Sequence, residues 1–172
     1  MSNVEQHKAS VSILVPMGVE RFPAFVEAAS ASHAADNVAS GHWETQEAGA
    51  LARAELERLL PGGHGTPDHY FYEIKTEPEG VALGFVWFAS LARGSGRVAY
   101  LYQLLVYPQH RRRGHARAAL AAFESLARAQ GITALALNVF GSNVSAQELY
   151  RSAGYLVTSM SMHKELPPGS AA

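Results

Sequence analysis

The sequence predicts an α/β (α+β) fold: one domain in which a central mixed, mostly antiparallel sheet of six to seven strands is flanked by about four helices. Three observations lead there. Residues 69–107 hold three strand-like segments joined by short turns, which make a meander. Residues 97–140 read strand, helix, strand, and that order requires a crossover and a parallel pair. Ahead of both lie two alanine-rich stretches with helical character.

Taken in order, Val11 to Val15 is a β-branched run closed by Pro16 and predicts the first strand. Ala24 to Ser40 is rich in alanine, and 43–60 places Ala48, Leu51, Ala52, Leu56, Leu59 and Leu60 at helical spacing before "PGG" stops it. "PGGHGTPD", 61–68, is a loop of turn formers. The meander follows as "HYFYEIKTE" (69–77), "VALGFVWFAS" (81–90) and "RVAYLYQLLVY" (97–107), with separators "PEG" and "RGSG" short enough for antiparallel hairpins. After Pro108 the period returns to that of a helix, with Ala116, Ala119, Leu120, Phe123, Leu126 and Ala127 on one face, until Gln130-Gly131 ends it. "ALALNVF" (134–140) is the next strand, parallel to 97–107. "NVSAQELYRSAGY" gives a short helix, with Asn143 as N-cap and Gly154 just past its end. "YLVTSMSMHKEL" is expected to add one or two closing strands, and "PPGSAA" to fray.

Composition removes several classes of function. At 172 residues, 48% of them hydrophobic, the chain can bury one substantial core. With 14 basic and 15 acidic residues the formal net charge is -1, so no global field recruits nucleic acid or anionic lipid, and any anion binding must be local. The absence of cysteine excludes disulfides and thiolate chemistry and fits a reducing interior. No apolar run approaches the roughly 20 residues a bilayer requires, and a soluble, cytoplasmic protein is expected.

Against that even charge, "VYPQHRRRGHARAAL" concentrates Arg111, Arg112, Arg113 and Arg117 at one strand-to-helix turn. The first N–H groups of a helix lack intrahelical acceptors and the macrodipole there is positive, so the turn is built for an anion and basic side chains would otherwise oppose it. Gly114 lets a phosphate approach the backbone, and Ala116 keeps the next position small. A P-loop signature is absent, and the strand ending "LNVF" carries no ribose-binding acid, which argues against a dinucleotide. The pattern points to a pyrophosphate.

Two elements, "LLVYPQHRRRGHARAAL" and "LNVFGSNVSAQELYRSAGY", resemble the GNAT superfamily of acyl-CoA-dependent N-acetyltransferases. The family's loop, Q/R-x-x-G-x-G/A, is matched by Arg111, Arg112, Arg113, Gly114, His115 and Ala116. Its second element, N-x-x-A-x-x-L-Y-x-x-x-G-F/Y, is matched by Asn143, Ala146, Leu149, Tyr150, Gly154 and Tyr155. The resemblance implies a GNAT domain over 1–166, with 167–172 a disordered tail, and acetyl-CoA as co-substrate with no metal. It implies that loop amides from Arg112 to Arg117 hold the CoA pyrophosphate, with the arginines adding charge-assisted contacts. It implies a parallel pair splayed at its C-terminal ends, so that Leu104, Leu105 and Val106 pair with pantetheine as an added strand would. Asn143 would reach the CoA arm, and Tyr150 would protonate the departing thiolate.

The amine's proton needs an acceptor, because an alkyl ammonium titrates near pH 10.4. Many relatives use a carboxylate on the strand before the loop, and "RVAYLYQLLVY" has none. Glu73 on the neighbouring strand, or a water held by Gln103 or Tyr102, are the candidates. Trp43, Tyr70, Tyr72, Phe85 and Trp87 are candidates to wall an acceptor pocket. The expected partners are acetyl-CoA and a primary amine, on a small molecule or a protein, with no nucleic acid and no membrane; a homodimer is left open. The missing strand carboxylate keeps one rival, a CoA-binding sensor or accessory module without turnover.

Overall fold

Alternating aromatic and β-branched residues over 69–107 build the middle of the molecule, as their pattern predicts. The computed structural model describes residues 12–164. Five strands, β1 (Ile13–Pro16), β2 (His69–Lys75), β3 (Gly84–Arg93), β4 (Gly96–Val106) and β5 (Ala134–Leu137), form one sheet in sequence order. β1 to β4 pair antiparallel and β4 pairs parallel with β5, with α3 (His115–Ala129) as the crossover. The other helices are α1 (Phe22–Ala39), α2 (Thr45–Leu59) and α4 (Val144–Ser152).

The sheet buries both faces. On one, Ile74, Val86, Phe88, Ala99, Leu101, Leu104 and Val106 meet the α3 stripe of Ala119, Leu120, Phe123 and Ala127. On the other, Phe71, Phe85 and Trp87 meet Phe25 and Ala29 of α1 and Leu56 of α2. Phe25, Phe85, Phe88 and Phe123 are wholly buried, each contributing about 1.5–3 kcal/mol by area removed from water. Leu51, counted on the apolar stripe of α2 by its spacing, is instead exposed, and the stripe narrows to Ala48, Ala52 and Leu56.

Residues 99 and 101 but also 104 and 106 share one face, so strict alternation must fail between them. It does. Trp87 pairs with Gln103 and Phe88 with Leu101, which leaves Tyr102 as the extra residue of a β-bulge.

The sheet has five strands, not the six to seven expected. Residues 156–164, expected to close it, form no strand: Leu156 and Met162 are 86% and 89% exposed. The reason lies in β5, which stops at Leu137 rather than continuing to Phe140. Its short outer edge offers too few ladder bonds to offset the entropy of ordering a further strand. Val11, the last two residues of the expected closing strand and the 167–172 tail lie outside the described residues. Among those described, no helix is long and apolar enough to cross a membrane.

Candidate active site

The turn after β4 is shaped by two residues with left-handed backbone, Arg112 (φ 61) and Gly114 (φ 82). Glycine adopts that conformation freely, whereas at Arg112 it costs strain on the order of 1–2 kcal/mol. Gly114 is the N-cap of α3 and supplies no side-chain hydrogen bond; the first bond onto it comes from Ala118 N, at 3.1 Å. The amides of His115, Ala116 and Arg117 therefore belong to the open first turn. Arg111 ties the turn to the strand it leaves, its Nε donating to the Val106 carbonyl at 2.9 Å. The His115 ring is buried, with Nδ1 3.0 Å from Ser12 Oγ. Burial lowers its pKa, and the charges of His110 and Arg113 lower it further.

Beside this turn the parallel strands part. β4 and β5 are paired from Val98 with Ala134 to Leu101 with Leu137, and no further. On its other side β4 stays bonded to β3, where Phe85, Val86 and Gly84 pair with Leu105, Leu104 and Val106. One backbone edge from Tyr102 to Val106 is thus left uncovered by β5, with the Val106 carbonyl taken up by Arg111. A cleft of about 950 Å³ occupies the gap, lined by Gln103, Leu104, Leu105, Val106, Arg111, Arg112, Gly114, His115, Ala116, Arg117, Asn143 and Tyr150. All but two of the residues singled out from the sequence as catalytic or cofactor-binding candidates converge there; Arg113 and Glu73 are not among the lining residues.

α4 delivers Asn143 and Tyr150. The Asn143 side-chain oxygen caps the helix, accepting from Ala146 N at 3.2 Å. Tyr150 packs against the α3-side core, with the Tyr155 ring 5.6 Å away. Burial, with the negative charge of Asp36 adding to it, pushes the Tyr150 phenol up to about 12, so it stays protonated through the neutral range.

The structure places Glu73 elsewhere. It is buried on β2, with Oε1 3.0 Å from Arg21 Nε and Oε2 3.1 Å from Lys75 Nζ. Both carboxylate oxygens are engaged by cations, and Glu73 is not among the residues lining the cleft. Of the aromatic candidates, Trp87 lines the cleft, stacked on Tyr102 at 4.5 Å and donating from Nε1 to His69 Nδ1 at 3.0 Å. Tyr70 and Tyr72 stack on Phe88 on the opposite face, Phe85 is core, and Trp43 lies edge-on to His33.

Sequence reasoning missed three titratable cleft residues on the N-terminal helices: His33 and Asp36 of α1 and Glu55 of α2. His33 and Asp36 are three apart and so share a helix face, a polar pair in an otherwise alanine-rich run. Burial raises the Asp36 pKa, while the charges of His33 and Arg111 pull it back. Among the described residues no group of three or more His, Asp or Glu side chains could hold a metal ion.

A mixed sheet whose parallel strands part beside an uncapped, arginine-flanked helix N-terminus defines a class of acyl-transfer fold, and the chain belongs to the acetyltransferase (GNAT) family, whose profile matches residues 34–155. Its relatives in Bacillus subtilis (strain 168) include YycN, an uncharacterised N-acetyltransferase, 31% identical over 154 residues, covering 90% of this chain and 98% of the relative. YdgE, another uncharacterised N-acetyltransferase of that organism, is 33% identical over 153 residues, covering 89% and 97%. The crystal structure of YycN superposes with a TM-score of 0.87 over 92% of this chain and 100% of that one, at 30% identity.

Proposed function

We propose that the protein moves an acetyl group from acetyl-CoA to a primary amine, on a small molecule or at a protein N-terminus or lysine, by direct transfer in a ternary complex. One observation carries this reading: an open strand edge and an uncapped helix N-terminus meet in a single cleft. The two together suit a ligand with an extended amide-bearing arm and a diphosphate. When bound, acetyl-CoA supplies the activated acyl group.

The chain's own residues then divide the work. Amides from Arg112 to Arg117 receive the pyrophosphate, and Arg111, Arg112, Arg113 and Arg117 add positive charge. Leu104, Leu105 and Val106 offer the arm the backbone edge that β5 does not cover, with the Val106 carbonyl already accepting from Arg111. Asn143, whose oxygen is committed to the cap, offers its side-chain amide N–H groups. Tyr150 donates its proton toward the sulfur as the thiolate departs, a role suited to a phenol that remains protonated. Gln103 lies on the cleft wall beside the Trp87 and Tyr102 stack, where it orients water or the acceptor.

Calorimetry with CoA at low salt, followed by CoA thiol release from acetyl-CoA across a panel of amines, tests the reading. Binding with release on at least one amine is expected. Binding without release on any acceptor would favour the accessory-module alternative, and no binding would remove both.

A further inference from the structure

The transfer reading leaves the amine's proton without a destination. Glu73 is held by two cations and does not line the cleft, which removes it, and Gln103 carries an amide with no basic lone pair. Burial raises the pKa values of Tyr100 and Tyr102, so these cleft phenols hold their protons. One pair on the cleft wall remains unused: His33 Nε2 lies 2.7 Å from Glu55 Oε2. A carboxylate accepts only, so the imidazole nitrogen facing it carries the hydrogen, and among the described residues the Nδ1 lone pair meets only a long contact from Asn37 Nδ2 at 3.5 Å, which an incoming amine would displace. The ring is held in place, edge-on to Trp43 with centroids 5.2 Å apart, while Asn37 Nδ2 donates to the His33 carbonyl at 2.9 Å. The arrangement is a base with an orienting carboxylate, on two helices that line the same cleft as Tyr150 of α4.

We propose that His33, oriented by Glu55, takes the proton from the incoming amine in the cleft; the assignment rests on the acetyl-transfer reading above. The charged groups bearing on it are Glu55 from α2 and Asp36 from its own helix, with Arg111 of the loop acting on Asp36 and Asp36 acting on Tyr150 of α4. Asp36 thus relates the His33 end of the cleft to the Tyr150 end. The amine enters as an ammonium and gives one proton to His33 Nδ1, and the Glu55 carboxylate stabilises the imidazolium formed. The nitrogen lone pair forms the C–N bond and the C–S bond breaks. The second proton lost by nitrogen balances the one taken up by sulfur, so one proton leaves the protein per turnover. The His33 side chain is 32% exposed, which gives that proton a route to solvent.

The test uses the full chain with acetyl-CoA and, in separate reactions, spermidine, tyramine and a lysine-containing peptide, following thiol release against pH. His33→Ala is expected to lower kcat on the accepted amine by about 100-fold or more, the usual worth of a general base. It should leave CoA affinity unchanged, abolish the acidic limb of the rate profile and recover rate with added imidazole. Glu55→Gln, with the imidazolium no longer stabilised, should move that limb to lower pH with a smaller loss, and it carries the test if His33→Ala does not fold. Wild-type kcat in His33→Ala, a retained limb without rescue, or an unmoved limb in Glu55→Gln overturns the assignment, as does an Asp36→Asn variant that alone loses the limb. Wild-type protein that binds CoA yet acetylates none of the three amines overturns the transfer reading, and the proton assignment with it.

Discussion

On the proposed reading, two single residues decide most of the chemistry. Replacing Tyr150 by Phe removes one oxygen and keeps the ring that packs against the α3-side core. The expected result is a loss of about 100-fold in kcat, the lower end for a general acid, with CoA affinity by calorimetry nearly unchanged; parallel losses in both would mean that the phenol serves binding. Gly114 is held at φ 82, where a side chain is strained and would sit at the mouth of the anion cradle. Gly114→Asp should therefore abolish detectable heat with CoA while the far-ultraviolet circular dichroism stays that of the native chain. Gly114 was legible from its place at a strand-to-helix turn, and Tyr150 only through the resemblance of residues 143–155 to the family's second motif. His33, Asp36 and Glu55 were not, because α1 and α2 meet across the cleft only through tertiary packing, and no local spacing ties position 33 to position 55.

At the level of elements, hairpins, crossover and helix boundaries followed from turn residues and periodicity, since each is set within about twenty residues of chain. The length of β5 and the fate of residues 156–164 did not, because an edge strand depends on what lies beside it rather than on its own sequence. The pairing of β3 with β4 hides a tighter constraint. A Cβ at Gly84 would lie within 1.9 Å of the Leu105 carbonyl oxygen, which is backbone and cannot yield alone. Gly84→Ala should thus push β4 away at the Val106 end of its free edge, costing about 1–3 kcal/mol as other overpacked sites do. A lowered melting temperature together with weaker CoA binding is expected; a drop in stability alone would separate the strand edge from the ligand.

For the molecule as a whole, pH acts through one buried and one half-buried imidazole. Burial lowers the pKa values of both His69 and His115 from the ordinary 6.5. The unfolded chain then binds those protons more readily than the folded one, so stability is full above about pH 6.5 and falls as acid is added below it. Asp36 acts in the other sense, since its raised pKa makes ionisation costly at neutral pH and part of that cost is relieved on acidification. Thermal unfolding followed from pH 7 to pH 5 should show a declining midpoint, and His115→Gln should flatten the decline. The parting of β4 from β5 after Leu101 and Leu137 has a further consequence. It leaves a seam through the centre of the protein that an extended guest would stitch shut. Backbone amides between Tyr102 and Val106 that face away from β3 should trade deuterium quickly before the guest arrives and slowly afterwards, so that occupancy is written into the rigidity of the sheet itself.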